Sequence, residues 1–149
     1  METLDYHDIC IQVQEIARET GKFIRNERKT LSAKDVELKS AASLVTYVDK
    51  TAEVKIVEAL KKIIPESGFI TEEGTAGSSG ERFKWIVDPL DGTTNYIHGI
   101  APHSVSIALQ DENEITLGVV YEIGQSEMFY AWKGSPAFLN GSEISVSQN

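Results

Sequence analysis

Apolar and small residues recur at helical spacing near the start of the chain. Ile9, Val13, Ile16, Ala17, Thr20, Phe23 and Ile24 share one side, with Glu15, Arg18, Glu19 and Lys22 on the other. This stripe predicts an amphipathic helix. Residues 27–42 are charged and less regular, and read as extended. A second helix is expected to open at Thr46-Tyr47-Val48-Asp49, with Thr46 as N-cap and Asp49 as the acid that suits a helix first turn. Val48, Ala52, Ile56, Ala59, Leu60 and Ile63 form its stripe, and Pro65 follows its end.

From there the period changes to two. Gly68-Phe69-Ile70-Thr71 reads as a short strand. Phe83, Trp85 and Val87 alternate, as do Val105, Ile107 and Leu109, then Ile115, Leu117, Val119 and Tyr121. Phe129-Tyr130-Ala131-Trp132 is a further strand, and Asp111-Glu112-Asn113-Glu114 is the turn of an antiparallel hairpin. Gly74 to Gly80 reads as a surface loop. The pattern predicts an α+β fold, two helices packed on a mostly antiparallel sheet. Ile144-Ser145-Val146-Ser147 reads as a strand still running at the last residue, Asn149, so the chain is expected to be a fragment.

Composition narrows the function classes. The 149 residues suffice for one hydrophobic core without staples. Fourteen Lys and Arg against twenty-three Asp and Glu leave a net charge of -9, which argues against nucleic acid or an anionic membrane as the main partner. One cysteine, Cys10, excludes an internal disulfide framework and a cysteine-based zinc cluster, and its apolar helical setting reads as a buried inert thiol. No apolar run approaches the length of a membrane span, and no signal peptide is visible at Met1-Glu2-Thr3-Leu4-Asp5, so a soluble cytoplasmic protein is expected.

The chemistry concentrates in Trp85-Ile86-Val87-Asp88-Pro89-Leu90-Asp91-Gly92-Thr93-Thr94-Asn95. A strand is expected to end in Asp88, because Pro89 cannot donate to a sheet ladder. Asp91 follows where the chain turns, Gly92 permits that turn, and a short helix can begin at Thr93 and Thr94. Two carboxylates three apart, ahead of unpaired helix-start amides, suit hard divalent cations and an anion. Each part has a plainer reading. Asp91-Gly92 is a common turn, Glu72-Glu73 is commonly a solvated face, Asp49 serves a helix dipole, and Lys39 alone is an exposed lysine. The whole eleven-residue string is much harder to explain as turns alone.

Trp85 to Thr94, with Glu72-Glu73, Thr46 to Asp49 and Pro102-His103-Ser104-Val105-Ser106-Ile107-Ala108-Leu109, resembles the inositol monophosphatase family of magnesium-dependent, lithium-sensitive phosphatases. The resemblance runs over the whole chain, through Ala137-Phe138-Leu139-Asn140-Gly141, and covers roughly the N-terminal half of a family member. It implies that residues 1–149 are a metal- and phosphate-binding domain, the first part of an αβαβα sandwich, and that the final metal ligand is an aspartate beyond Asn149. It implies Mg²⁺ as cofactor and hydrolysis of a small phosphate monoester, inositol monophosphate first. Glu72, Asp88 and the Leu90 carbonyl would hold one Mg²⁺, and Asp88 and Asp91 a second. Gly92 and Thr93 would receive the phosphate on backbone amides beside Asp91. Thr93 would help Glu72 orient the attacking water, and Asp49 would bond the Thr93 hydroxyl. Glu73, Thr94 and Lys39 would stand just behind these groups.

The same resemblance leaves a homodimer as a possible assembly. Ser43 stands where many relatives have an aspartate, and Gly134-Ser135-Pro136 replaces a more glycine-rich turn. His98 and His103 read as packed or structural, since hard Mg²⁺ prefers oxygen ligands. The alternatives are a 3'(2'),5'-bisphosphate nucleotidase and a non-catalytic metal-binding or interaction module.

Overall fold

The structure, a computed structural model, describes residues 4–30, 38–72 and 81–147. Helix α1 spans Tyr6–Arg28. The Asp5 carboxylate accepts the Asp8 amide at 3.1 Å, satisfying one of the N–H groups that a helix start leaves unpaired. The expected stripe is the buried face: Ile9, Val13, Ala17, Thr20 and Ile24 are buried, and Cys10 is fully enclosed with them.

Helix α2 spans Leu38–Ile63, which corrects the expected start at Thr46. Thr46 lies inside the helix, where its hydroxyl bonds back to the Ala42 carbonyl at 3.0 Å instead of capping. Ala41, Ala42 and Leu44 are strong helix formers, and they carry the helix upstream of the polar residues that suggested a boundary. The extended reading of residues 27–42 is corrected with it. Glu27 and Arg28 end α1, Lys29 and Thr30 form a turn, and residues 38–42 belong to α2. Residues 31–37 lie outside the described residues, as does the loop from Gly74 to Gly80.

The remaining elements are β1 (Gly68–Thr71), β2 (Phe83–Asp91), α3 (Thr93–Ile97), β3 (Ser104–Asp111), β4 (Glu114–Glu122), β5 (Glu127–Trp132), β6 (Ala137–Leu139) and β7 (Ser142–Ile144). The strands form one sheet in sequence order. β1 runs parallel to β2 and every later pair is antiparallel. The fold is α+β, as the periodicities predict. The strand expected at 144–147 is corrected: β7 ends at Ile144, because β6 offers only three residues to pair with, and residues 145–147 are exposed without regular structure.

Alternation along the strands sets the core. Trp85 and Val87 of β2, Val105, Ile107 and Leu109 of β3, and Leu117, Val119 and Tyr121 of β4 all face the helices and are buried. α1 lies across β3, β4 and β5, and α2 lies across β2. At Gly21 helix and sheet come close, and an added Cβ would stand 2.6 Å from the Tyr121 ring. Inside this core the Trp85 indole donates to the Ser67 hydroxyl at 3.1 Å, and that hydroxyl donates to the Ile64 carbonyl at 2.7 Å. Ile70 and Val120, on strand positions of the opposite parity, are exposed.

Candidate active site

The strand that carries the aspartates does not stop at Asp88. β2 continues to Asp91, and the ladder with β3 shifts on the way: Asp88 pairs with Ser106, but Asp91 pairs with Ser104. Three steps on one strand therefore face two on the other, which is a bulge of one extra residue. Pro89 sits within it, where no ladder donor is required. The expected stop at Pro89 is corrected for this reason. The bulge also explains how two acids three apart can serve one site. In a regular strand they would point to opposite faces, and one inserted residue returns them to the same side.

Asp88 and Asp91 line one cleft of about 200 Å³ with Asp49, Glu72, Leu90, Gly92 and Thr93. Four elements and their junctions supply it. Asp49 comes from the buried face of α2 and is 9% exposed. Glu72 follows the last residue of β1, and the parallel pairing of β1 with β2 sets it beside the aspartates. Leu90 is buried, which anchors the strand where it borders the cleft. The Leu90 amide donates to Asp88 Oδ1 at 3.3 Å.

Gly92 follows with φ of +83°, in the left-handed region. A Cβ there would stand 2.7 Å from the Pro102 carbonyl oxygen, so glycine is required twice over. α3 begins directly after it, and the Tyr96 amide bonds the Gly92 carbonyl at 2.9 Å. The amides of the first turn have no acceptor inside the helix. Tyr96 is buried beneath, and its hydroxyl donates to the Ile24 carbonyl at 2.8 Å. Burial raises its pKa well above the ordinary tyrosine value.

The donor set suits a hard cation. Its side chains are four carboxylates and one hydroxyl, with no sulfur and no imidazole at the cleft. Among the described residues no three His, Cys, Asp or Glu side chains converge closely enough to hold an ion as they stand. Mg²⁺ does not need that, since it is commonly bound through one or two carboxylates while it keeps several waters. The Thr71 hydroxyl, one residue before Glu72, is buried without a hydrogen-bond partner among the described residues. The larger groove of about 610 Å³ between α1 and α2 sets Glu15 and Glu19 among Lys22, Lys55 and the apolar Ile16, Phe23 and Ala59, without the concentration of acids found at the cleft. Chemistry, not size, marks the site.

Other expected residues fall differently. Thr94 is exposed and does not line the cleft. Lys39 lies in the first turn of α2 with its side chain outside the described residues, and Glu73 lies outside them altogether. His103 is buried, with its ring edge-on to Tyr96 and its Nδ1 3.0 Å from the Ile100 carbonyl, as a structural histidine. His98 is exposed at the end of α3. Two buried acids escaped the sequence reading. Glu53 is fully buried one helical turn after Asp49, a spacing visible in the sequence. Glu122 is buried at the end of β4, where nothing local announces it.

The sequence profile of the inositol monophosphatase family matches residues 5–149. The chain belongs to the inositol monophosphatase family. It is 43% identical over 148 residues to inositol monophosphatase 2 of Solanum lycopersicum, a match that spans 96% of this chain and 54% of that protein. It is 42% identical over 106 residues to a fructose-1,6-bisphosphatase/inositol-1-monophosphatase of Thermotoga maritima, spanning 71% and 41%. Among solved structures it superposes on the extragenic suppressor protein suhB of Bartonella henselae with a TM-score of 0.78 and 32% identity, over 95% of this chain and 54% of that one. The chain thus spans about half the length of the relatives it matches. No helix among the described residues is long and apolar enough to cross a membrane.

Proposed function

We propose that this chain is the metal- and phosphate-binding part of a Mg²⁺-dependent phosphatase that hydrolyses a small phosphate monoester, inositol monophosphate first among the substrates. The observation that carries the reading is the shared cleft: Asp49, Glu72, Asp88, Leu90, Asp91, Gly92 and Thr93 come from distant parts of the chain and line one small space.

Electrostatics makes a cation necessary in this reading. Four carboxylates by themselves repel an anionic phosphate. Glu72, Asp88, the Leu90 carbonyl and Asp91 would hold Mg²⁺, which supplies the reversed local sign and the Lewis acidity that monoester hydrolysis needs. The protein's own groups then do the positioning. Gly92 and Thr93 present backbone amides to the phosphate. Glu72 and the Thr93 hydroxyl orient the attacking water, the Glu72 carboxylate takes up its proton, and Asp49 accepts from that hydroxyl and fixes it.

Asp91→Asn in the complete protein tests the reading. It removes one cleft charge with almost no change of shape. Mg²⁺-dependent phosphate release from inositol 1-phosphate is expected to fall about 10²-fold or more. Wild-type turnover in the variant would refute the assignment. Adenosine 3',5'-bisphosphate is run beside it, and hydrolysis of that substrate alone would redirect the reading to a bisphosphate nucleotidase.

A further inference from the structure

The wall of the cleft at Gly92 rests on another segment of the chain. An added Cβ at Gly92 would meet the Pro102 carbonyl oxygen at 2.7 Å and the His103 Cα at 3.2 Å. Where residues 101–103 stand therefore decides where Gly92 and Thr93 stand. Asn95 Nδ2 donates to the Pro102 carbonyl at 2.9 Å, and the Ile123 amide donates to the His103 carbonyl at 2.9 Å. The most unusual tether is Glu122, which is 8% exposed. Its Oε1 accepts the His103 amide at 3.1 Å and the Gly124 amide at 2.9 Å, and its Oε2 accepts the Gln125 amide at 2.6 Å.

A turn at residues 122–125 does not need a buried carboxylate. Asn, Ser or the backbone alone can close one. Burying a carboxylate is costly, and hydrogen bonds to an ionised acceptor are about twice as strong as neutral ones. Here part of that strength reaches across 19 residues of sequence to the His103 amide. The packing at Gly124 is equally close, since a Cβ there would stand 3.0 Å from both Ala101 Cβ and Glu122 Oε1. The carboxylate thus joins the end of β4 to the segment on which Gly92 leans.

We propose that Glu122 is a positioning residue for the phosphate side of the cleft. It acts through His103 and Pro102 on Gly92 and Thr93, and touches neither substrate nor metal. This rests on the phosphatase reading above and names a further residue that the same site requires.

The test compares wild type, Glu122→Ala and Glu122→Gln in the complete protein. Glutamine keeps the shape and one acceptor oxygen, so it can retain the His103 and Gly124 bonds. In Glu122→Ala the inhibition constant of inorganic phosphate should rise about tenfold. Turnover should fall about 10²-fold. Mg²⁺ affinity measured calorimetrically without phosphate should stay within about twofold. The Tyr96 amide, bonded to the Gly92 carbonyl, should exchange its hydrogen faster. Glu122→Gln should show smaller changes in the same order, and it decides the question if the alanine variant does not fold.

Unchanged phosphate inhibition and unchanged exchange at Tyr96 would overturn the proposal. So would Mg²⁺ and phosphate affinity falling together in step with melting temperature, which marks a general structural role. A wild type that hydrolyses no monoester would sink the phosphatase reading separately, while the exchange measurement would still report whether Glu122 holds Gly92 in place.

Discussion

Gly92→Ala measures how firmly the cleft wall is held. Two terms oppose the substitution, and three glycines separate them. The first is conformational: a residue with a Cβ pays about 1–2 kcal/mol to adopt the left-handed region. Gly92 at φ +83° and Gly134 at φ +90° both incur it. The second is steric and belongs to Gly92. Its Cβ would stand 2.7 Å from the Pro102 carbonyl oxygen and 3.2 Å from the His103 Cα, whereas Gly134 and Gly118 have nothing within 4 Å.

Both obstacles at Gly92 are backbone atoms, so no side chain can rotate away. Residues 101–103 must move, and they are tied by Asn95 at 2.9 Å and by Glu122 at 3.1 Å. Loosening these bonds costs about 1–3 kcal/mol, the larger figure reflecting the charged acceptor. Gly92→Ala is therefore expected to lose about 2–5 kcal/mol. Gly134→Ala should lose about 1–2 kcal/mol. Gly118→Ala, in a strand with open space above it, should be neutral or gain up to about 1 kcal/mol from reduced chain entropy. Urea denaturation of the three variants gives the values, with unchanged slopes as the check on two-state behaviour. Equal losses at Gly92 and Gly134, within about 0.5 kcal/mol, would refute the argument that the Pro102 segment is rigidly held.

Two further expectations concern the core and the acid response. Ser67→Ala strips the partner from the buried Trp85 indole and removes the hydroxyl bond to the Ile64 carbonyl, which keeps the residue 67 amide at 3.1 Å. It should cost about 1–3 kcal/mol in denaturation followed by tryptophan fluorescence, and a loss below about 0.5 kcal/mol would refute it. The Asp111 carboxyl is held below its usual pKa, chiefly by the Arg82 guanidinium, which donates to it at 2.8 and 3.1 Å, and also by the Tyr6 hydroxyl. A depressed carboxylate contributes stability above its unfolded pKa and loses it as pH falls through its folded value. Asp111→Asn should thus lower the melting temperature near pH 7, with the deficit shrinking as pH falls below the ordinary carboxylate range. The same deficit at both ends of the range would contradict the assignment.

Much of the architecture was readable because its signals are local. A helical stripe such as Ile9 to Ile24, or the alternation Val105-Ile107-Leu109, needs only neighbours in sequence to show its period. Boundaries failed where a residue has two local uses. Thr46 can cap a helix or bond back inside one, and it does the second. Pro89 can end a strand or occupy a bulge, and it does the second. Ser145 to Ser147 have strand-like alternation, but the short β6 leaves them no partner strand among the described residues.

The candidate site divides in the same way. The sequence alone determined the candidate set: the identities and close spacing of Asp88, Leu90, Asp91, Gly92 and Thr93. Only the tertiary structure decided that Asp49 and Glu72 share their cleft, because helix packing and parallel pairing with β2 are long-range events. It also decided that Asp88 and Asp91 face the same way, through a bulge defined by the partner strand. Glu122 depends on it entirely. Along the chain it is one acid among many, and it is buried because His103, Gly124 and Gln125 bring three amides to one carboxylate. Periodicity records which face of an element is buried. Which buried charges are satisfied depends on groups that only the completed fold brings together.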